Sequence, residues 1–256
     1  DVAICGGRAI TYPCRFENAF VPDVEDLEML ITERTVAILY NFPSNPTGAT
    51  VNTDQRDKLV SFAAKHDLWI VTDEVYDKIV YGGDHVSFLG AGYDRVIMLN
   101  SFSKTFAMTG WRIGYVLSPN SEAMEQVTKM QYYVTACSND AMQYAVLAAM
   151  EQASDYPGKM RDEFQTRRDL ICSRLNEMEG VSCHVPEGAF YVFPKIDVKG
   201  MTSEELANSL QTELSDALSQ YTERTPDDVV GAVQAGLAAG TPNSQTVGFF
   251  FLRDLC

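Results

Sequence analysis

The chain has 256 residues, of which 46% are hydrophobic and 21% are charged, a composition typical of a globular protein with one large or two smaller domains. Lys and Arg total 20 against 35 Asp and Glu, a formal net charge of −15, and such an acidic chain without a basic cluster is a poor partner for nucleic acid. No apolar run reaches the roughly 18 residues that a membrane-spanning helix needs, which argues against an integral membrane role.

The cysteines and histidines point to neither a disulfide framework nor a metal site. Six cysteines are irregularly spaced without a CxxC motif, and three histidines lie far apart in the sequence. With no export signal, we expect free thiols in a reducing cytoplasm, and no metal site is indicated.

Strand and helix patterns alternate through the first part of the chain. Short apolar runs predict strands at 36–40, 68–72, 96–99 and 114–117. Helical patterns occupy 53–65, with Thr53 as the expected cap, and about 120–133 and 139–153. The alternation predicts an α/β fold with a mostly parallel sheet and helices on both faces. In such sheets ligands bind at the carboxyl ends of the strands.

The pattern changes after Tyr156-Pro157-Gly158, and we expect a smaller α+β unit there. The predicted elements are a helix at about 159–178, strands at 181–185 and 189–196, a helix from 202 to about 218 and a helix at about 226–238. Thr202 and Glu205 form a capping-box pattern for the helix that starts at 202. The predicted division is therefore 1–157, part of a large domain, and 158–256, a small C-terminal domain.

Several polar residues follow the predicted strands directly. Asp73 ends the second strand, where a buried carboxylate needs a cation or several donors. Lys104 follows the third strand beside hydroxyl and aromatic residues, a setting that suits Schiff-base formation. Arg112 lies between glycines eight residues further on, and with Ser101 and Ser103 it could hold a phosphate. Together these residues provide what pyridoxal phosphate needs: a lysine for its aldehyde, an acid for its ring nitrogen and donors for its phosphate.

Three segments carry a resemblance to a known family: Asn45-Pro-Thr-Gly48, Asp73-Glu-Val-Tyr76 and the run from Ser101 to Tyr115, SFSKTFAMTGWRIGY. They resemble the signature of class I/II aminotransferases, which are fold-type I enzymes dependent on pyridoxal phosphate. The spacings agree, since Asn45 precedes Asp73 by 28 residues, and Tyr76 follows Asp73 by three. The match is specific over about 36–118 and looser over 1–35 and 119–196.

The resemblance implies a role for each matching residue. Lys104 would form the internal aldimine and then move the proton at the substrate Cα. Asp73 would pair with the pyridinium nitrogen, and Asn45 and Tyr76 would hydrogen-bond the phenolic oxygen of the ring. The phosphate would be held by three residues: Ser101, Ser103 and Arg112. Gly188 resembles the family's loop at the start of the small domain and is assigned no chemistry.

Two departures from the family pattern are evident. We expect the chain to be incomplete at its N-terminus, because the family normally has well over a hundred residues upstream of Gly6-Gly7, including a phosphate-binding turn and an aromatic residue that stacks on the ring. After about Glu213 the resemblance ends, and Arg253 lacks the context of the arginine that grips the substrate carboxylate. A frameshift or an incomplete gene is a hypothesis for this tail.

The resemblance implies an aminotransferase that moves an amino group from an L-amino acid to a 2-oxo acid, acting as a cytoplasmic homodimer. Two alternatives stay open at this point. One is a carbon–sulfur β-lyase or related lyase on the same scaffold, because cofactor-binding residues do not determine the reaction. The other is a non-catalytic fragment that serves only in assembly.

Overall fold

The computed structural model describes residues 2–197, 200–202 and 204–211, together with the backbone of two short strands at 245–247 and 250–251. The chain divides into two compact units. The first comprises Asp1–Asn45, Ala49–Arg161 and Glu187–Ala189, and the second comprises Pro46–Gly48, Asp162–Pro186 and Phe190–Cys256.

The first unit is built on a four-stranded sheet. Its strands are β1 (Ala37–Asn41), β2 (Trp69–Asp73), β3 (Val96–Ser101) and β4 (Gly114–Leu117), in the spatial order β1-β2-β3-β4. The pairs β1–β2 and β2–β3 are parallel, and β3–β4 is antiparallel. The predicted α/β fold with a mostly parallel sheet is confirmed, and each of the four predicted strands forms within two residues of its expected bounds.

Helices follow the strands in the expected alternation. They are α1 (Val24–Glu28), α2 (Thr53–Lys65), α3 (Phe102–Thr105), α4 (Ser121–Thr135), α5 (Asp140–Gln152) and α6 (Tyr156–Asn176), and 3-10 turns form at Phe16–Asn18, Phe88–Ala91 and Thr109–Trp111. The short helices α1 and α3 and the three 3-10 turns were not predicted, because one or two turns leave too little periodicity to recognise.

The cap of α2 differs from the expectation by one residue. Asn52, not Thr53, is the N-cap: its side chain accepts the N–H of Gln55, and the Gln55 side chain accepts the N–H of Asn52. This reciprocal pair satisfies two backbone donors at the start of the helix. Asn52 is the residue that caps the helix because its backbone is extended (φ −83°, ψ 174°), as an N-cap requires.

Side chains alternate in depth along the first three strands. Ile38, Ile70 and Val96 lie in register and are buried on one face of the sheet, and α2 and the 88–91 turn contact these strands. Leu39, on the opposite face, is 56% exposed. Helices on both faces were expected to bury both sides of each strand, whereas the described residues bury one side much more deeply.

The second unit contains the later part of α6 and five short strands. Strands β5 (Val181–Ser182), β7 (Lys195–Asp197) and β8 (Gln245–Val247) form one antiparallel sheet, and β6 (Tyr191–Val192) pairs with β9 (Phe250–Phe251). The predicted strand at 189–196 is therefore two strands, β6 and β7, in different sheets. The core of this unit includes Cys172, Leu175, Val192, Ile196 and Leu206.

The predicted capping box at Thr202 opens helix α7, which is described over 204–211. Glu205 accepts the N–H of Thr202 at 2.7 Å, and the Thr202 hydroxyl accepts the N–H of Glu205 at 3.2 Å. The remainder of this predicted helix, the helix predicted at 226–238 and Arg253 lie outside the described residues.

Membrane-spanning helices, metal-binding clusters and thiols are described here for the residues that the structure covers. None of the helices in this part of the chain combines the length and apolarity needed to cross a membrane. The same residues contain no group of three His, Cys, Asp or Glu side chains placed to hold a metal ion. The five cysteines described, Cys5, Cys14, Cys137, Cys172 and Cys183, are free thiols.

Candidate active site

The parallel strands of the first unit end at a common edge, where the sequence places its polar residues. Asn41 pairs in register with Asp73, and Asp73 pairs with Leu99. The Asn41 side-chain amide donates to the carbonyl oxygen of Asp73 at 3.1 Å, and the N–H of Phe42 donates to the same oxygen at 3.2 Å. The backbone of Asp73 is therefore fixed from the neighbouring strand.

The Asp73 carboxylate is partly enclosed. Its Oδ1 accepts the N–H of Val75 at 3.2 Å. Burial raises the pKa of the Asp73 carboxyl above its usual value, with a smaller contribution from Glu74, while the Val75 N–H and the charge of Lys104 act in the opposite direction. A carboxylate in this position can accept a hydrogen bond from a protonated nitrogen, which would lower the cost of its burial.

Lys104 lies on α3, immediately after β3. Its Nζ is 5.6 Å from the centre of the Tyr76 ring, within the range of a cation–π contact. Tyr76 is 3% exposed and follows Asp73 by three residues on the turn after β2. The fold therefore brings together Asp73, Tyr76 and Lys104, three of the residues predicted from the sequence.

Ser101 joins β3 to α3. It is the last residue of the strand and the N-cap of the helix, and its hydroxyl accepts the N–H of Ser103 at 3.3 Å. The Asn100 side chain accepts the N–H of Ser101 at 2.7 Å. Both serines predicted to hold a phosphate thus lie in one tight turn next to Lys104.

Arg112 approaches this turn through strand pairing. Gly114 pairs with Ser101, and the N–H of Phe102 donates to Ile113 O at 3.3 Å. A Cβ at Gly114 would lie 2.6 Å from the carbonyl oxygen of Asn100, so only glycine allows this approach. Arg112 itself is exposed, has a left-handed backbone (φ 53°), and donates from Nη1 to Thr109 O at 2.8 Å.

Asn45 lies in the turn after β1, at the same edge of the sheet. Its backbone N–H donates to Oδ1 of Asn41 at 2.7 Å, and the residue is exposed. Asn41 therefore holds both the Asn45 turn and the end of β2. The sequence analysis missed Asn41, although an asparagine ending a strand beside the Asn45 turn was a signal that could have identified it.

Gly188 packs beneath the same turn. A Cβ at this position would lie 2.6 Å from Pro43 Cβ and 2.9 Å from Thr50 Cγ2. The Thr50 hydroxyl also donates to the Glu187 carboxylate at 2.6 Å. The absence of a side chain at Gly188 thus permits close packing against the segment that carries Asn45, which is a structural role.

A buried acid that the sequence analysis did not single out lies between Asp73 and Tyr76. Glu74 is 1% exposed, and its carboxylate is 2.7 Å from Nε2 of His85. The same carboxylate accepts the N–H of Phe88 at 3.0 Å and the hydroxyl of Thr72 at 3.3 Å. Contacts with β2 and with the 85–88 segment thus anchor the turn that follows β2, and only the tertiary structure brings the 85–88 segment to it.

A cavity of about 520 Å³ adjoins α3 in the first unit. Phe102 and Phe106 line one wall, Tyr115 of β4 lines another, and Lys78 and Arg161 are among the charged residues at its boundary. Asp73, Tyr76 and Lys104 are not among its lining residues. The cavity therefore lies beside the candidate catalytic side chains without containing them.

The donor set at the strand ends suits pyridoxal phosphate. It combines a primary amine on Lys104, a carboxylate on Asp73 and a phenol on Tyr76. Hydroxyl donors lie on the Ser101–Ser103 turn. Each reactive part of the cofactor thus has a chemically matched group nearby: the aldehyde, the ring nitrogen, the phenolic oxygen and the phosphate.

Comparison with known proteins identifies one family. The family profile described as Aminotransferase class I and II matches residues 1–225. An aspartate aminotransferase of Pyrococcus abyssi is 39% identical over 217 residues, covering 83% of this chain and 55% of the relative. Aromatic-amino-acid aminotransferase 2 of Thermococcus litoralis is 38% identical over 217 residues, with the same two coverages.

Solved structures agree with these matches. The crystal structure of an aromatic aminotransferase from Pyrococcus horikoshii aligns with a TM-score of 0.81 and 33% identity, covering 92% of this chain and 68% of that one. An aspartate aminotransferase from Thermotoga maritima aligns with a TM-score of 0.79 and 31% identity, covering 92% and 65%. The chain spans little more than half the length of the two curated relatives described above.

Proposed function

The chain belongs to the class I and II aminotransferases, and we propose that it carries the cofactor-binding core of an enzyme that moves an amino group from an L-amino acid to a 2-oxo acid. The observation that carries the proposal is the placement of Lys104 next to Tyr76 and Asp73 at the ends of parallel strands. The family is dependent on pyridoxal phosphate, and the matched donor set supports that cofactor here.

Bound pyridoxal phosphate supplies an aldehyde that reacts with amines and a ring that withdraws electrons from the substrate Cα. In the proposal, Asp73 accepts a hydrogen bond from the ring nitrogen and keeps it protonated. The carboxylate is suited to this because its backbone is held by Asn41 and its Oδ1 by Val75. Its partial burial strengthens the electrostatic interaction with a protonated nitrogen.

Lys104 would move the proton at the substrate Cα. An amine that serves as a base must reach the reacting atom, and the short helix α3 starts at the strand end where Asp73 also lies. Tyr76 and Asn45 would hydrogen-bond the phenolic oxygen and hold the plane of the ring. Tyr76 is suited to positioning because it is almost fully buried and contacts Lys104.

The phosphate would be held by Ser101, Ser103 and Arg112. The two serines share one turn, and pairing of Gly114 with Ser101 keeps the Arg112 loop near it. A guanidinium and hydroxyl donors suit a phosphate dianion. Binding there would exchange the contact between Arg112 and the neutral carbonyl of Thr109 for one in which both partners are charged.

The test is covalent trapping. Purified protein is incubated with pyridoxal phosphate, reduced with borohydride, digested and mapped by mass spectrometry. We expect the pyridoxyl group on Lys104 and its loss in Lys104→Ala. Lys129→Ala is the matched control, since Lys129 is an exposed lysine on α4, and it should label normally. Equal labelling of several lysines, or an undiminished label in Lys104→Ala, would refute the assignment.

The reaction is tested separately by assay with amino acids and 2-oxoglutarate. Production of glutamate that depends on Lys104 supports transamination. Release of pyruvate and ammonia from a substrate with a leaving group at Cβ, without glutamate, would contradict it and indicate a lyase. Labelling of Lys104 without either reaction would limit the chain to cofactor binding.

We also propose a division near residue 157 between part of the cofactor-binding domain and a C-terminal domain. The limit of the compact units at Arg161–Asp162 supports a division in this region.

A cytoplasmic homodimer is also proposed. The family is typically dimeric, and free thiols such as those described here are usual in the reducing cytoplasm. Light scattering on the purified protein tests the dimer, and a monomer mass at high protein concentration would contradict it.

A further inference from the structure

Two cysteines of the second unit are not among the residues proposed for the active site. Cys172 is on α6 and Cys183 follows β5, and both belong to the buried core of that unit, with exposures of 2% and 8%. The two thiols lie close enough for each to change the pKa of the other. We propose that Cys172 and Cys183 form a reversible disulfide when hydrogen peroxide oxidises the protein.

Two side chains of α6 hold the partner segment against the helix on either side of Cys172. Asn176 makes two hydrogen bonds to the backbone of Cys183, at 2.8 Å to its N–H and 3.0 Å to its carbonyl oxygen. Arg168 donates to the carbonyl oxygen of Pro186 at 3.1 Å. Residues four apart share one face of a helix. Cys172 therefore lies between Arg168 and Asn176 on the helix face that contacts the 183–186 segment.

The electrostatics favour one of the two thiols as the reactive group. The neighbouring Cys183 thiol lowers the pKa of Cys172, burial opposes this, and the charge of Arg168 adds to the lowering. The Cys172 thiol and burial both raise the pKa of Cys183. The Cys183 thiol also donates a hydrogen bond to His184 O at 3.2 Å.

The chemistry is balanced with hydrogen peroxide as the oxidant. The Cys172 thiolate attacks one peroxide oxygen, so an S–O bond forms, the O–O bond breaks and hydroxide leaves, and the sulfur is oxidised by two electrons to a sulfenic acid. The Cys183 sulfur then loses its proton and attacks Cys172 Sγ. An S–S bond forms as the S–O bond breaks, and the departing hydroxide takes up the proton as water.

The inference does not depend on the proposed aminotransferase activity, because neither cysteine belongs to the unit that carries Lys104. Burial does not by itself prevent oxidation of these thiols by a small oxidant. Cys172 needs access only for a molecule little larger than water, and Cys183 is in the same buried core on the segment that Asn176 holds. A disulfide would join α6 to the strand-bearing segment that Asn176 and Arg168 already hold.

The experiment uses a background variant that keeps only this pair and replaces the other four cysteines with serine: Cys5, Cys14, Cys137 and Cys256. After treatment with peroxide, the protein is denatured, alkylated and weighed by mass spectrometry. We expect loss of two hydrogens, no added oxygen and loss of both alkylatable thiols, and we expect dithiothreitol to restore them. Two alkylatable thiols after treatment, or oxygen added without a link, would overturn the proposal.

The matched control adds Cys183→Ser to the same background. Cys172 then has no resolving thiol, so it should gain oxygen and react with dimedone instead of losing hydrogen. If the serine background fails to fold, the unaltered chain is mapped under non-reducing conditions. A peptide linked through Cys172 and Cys183 is expected, and links confined to the exposed cysteines would contradict the proposal.

Discussion

Folding and the proposed function favour opposite protonation states of Asp73. Burial raises the pKa of its carboxyl, so the folded, cofactor-free protein holds this proton to a higher pH than the unfolded chain does. Ionisation of Asp73 therefore costs folding stability. The cost is absent below the ordinary pKa of an aspartate and develops as the pH rises through the raised value. The proposed function nevertheless requires the ionised form, which is the form that can hold a protonated ring nitrogen.

This conflict leads to a prediction for Asp73→Asn. At neutral pH the cofactor-free variant should have a melting temperature equal to or above that of the unaltered protein, because the cost of ionisation is removed. Its turnover should fall by about 10²–10³-fold, since the charge on the ring nitrogen loses its partner. Thermal unfolding without cofactor and steady-state kinetics with it measure the two effects.

The control for Asp73→Asn is Asp94→Asn, which changes an exposed aspartate of the same unit. That variant should leave both quantities close to their original values. A drop in the melting temperature of Asp73→Asn that accompanies the lost turnover would assign Asp73 a structural role instead.

At the scale of elements, the approach of β4 to β3 connects the Arg112 loop to the Ser101 turn. The antiparallel pairing places Gly114 opposite Ser101, and the space at Gly114 is limited by the backbone of Asn100. Helix α3 begins at that strand end. The close contact between these two strands therefore joins the segments that carry the proposed phosphate ligands.

Gly114→Ala should disturb this contact, because the added Cβ would lie 2.6 Å from Asn100 O and 3.0 Å from Ser101 Cβ. We expect a loss of about 1–3 kcal/mol in the free energy of unfolding and weaker binding of pyridoxal phosphate. Urea unfolding and a cofactor titration provide the two measurements.

Gly110→Ala is the matched control, since a Cβ there meets nothing within 4 Å. It should change the free energy of unfolding by no more than about 0.5 kcal/mol. Equal effects of the two substitutions on stability and on cofactor binding would show that the β3–β4 approach does not position the phosphate ligands.

At the scale of the whole molecule, the net charge of −15 has a consequence for stability. Like charges repel one another in the compact state, and salt screens that repulsion. We expect the melting temperature to rise by a few degrees between low salt and about 0.5 M, where the Debye length falls to a few ångströms. Thermal scans in sodium chloride and potassium chloride should agree, because screening does not depend on the cation. A melting temperature that falls with salt would show that favourable ion pairs outweigh the repulsion.

The comparison of sequence and structure differs between the two units. In the first unit, apolar runs and helical periodicity located four strands and three long helices, because each leaves a local repeat in the sequence. In the second unit the run at 189–196 predicts one strand, whereas the structure has two, β6 and β7. The two pieces pair with different partners, and pairing partners leave no mark on a local pattern.

The sequence by itself determined the family signature, because Asn45, Asp73, Tyr76 and Lys104 occur at the spacing of a known cofactor site and directly follow buried strands. It also determined the α/β class through the alternation of strand and helix patterns. These features depend on residues near one another in the chain or on order alone, so they can be recognised without coordinates.

Only the tertiary structure decided which residues support that site and which lie together elsewhere. The double role of Asn41, the donors around Glu74 and the contact between Cys172 and Cys183 all join separate segments. Such contacts depend on strand register and on how a helix face meets its neighbour, and these are properties of the packed chain. Local patterns do not contain them, because the free energy that selects them is the burial and hydrogen bonding of the whole fold.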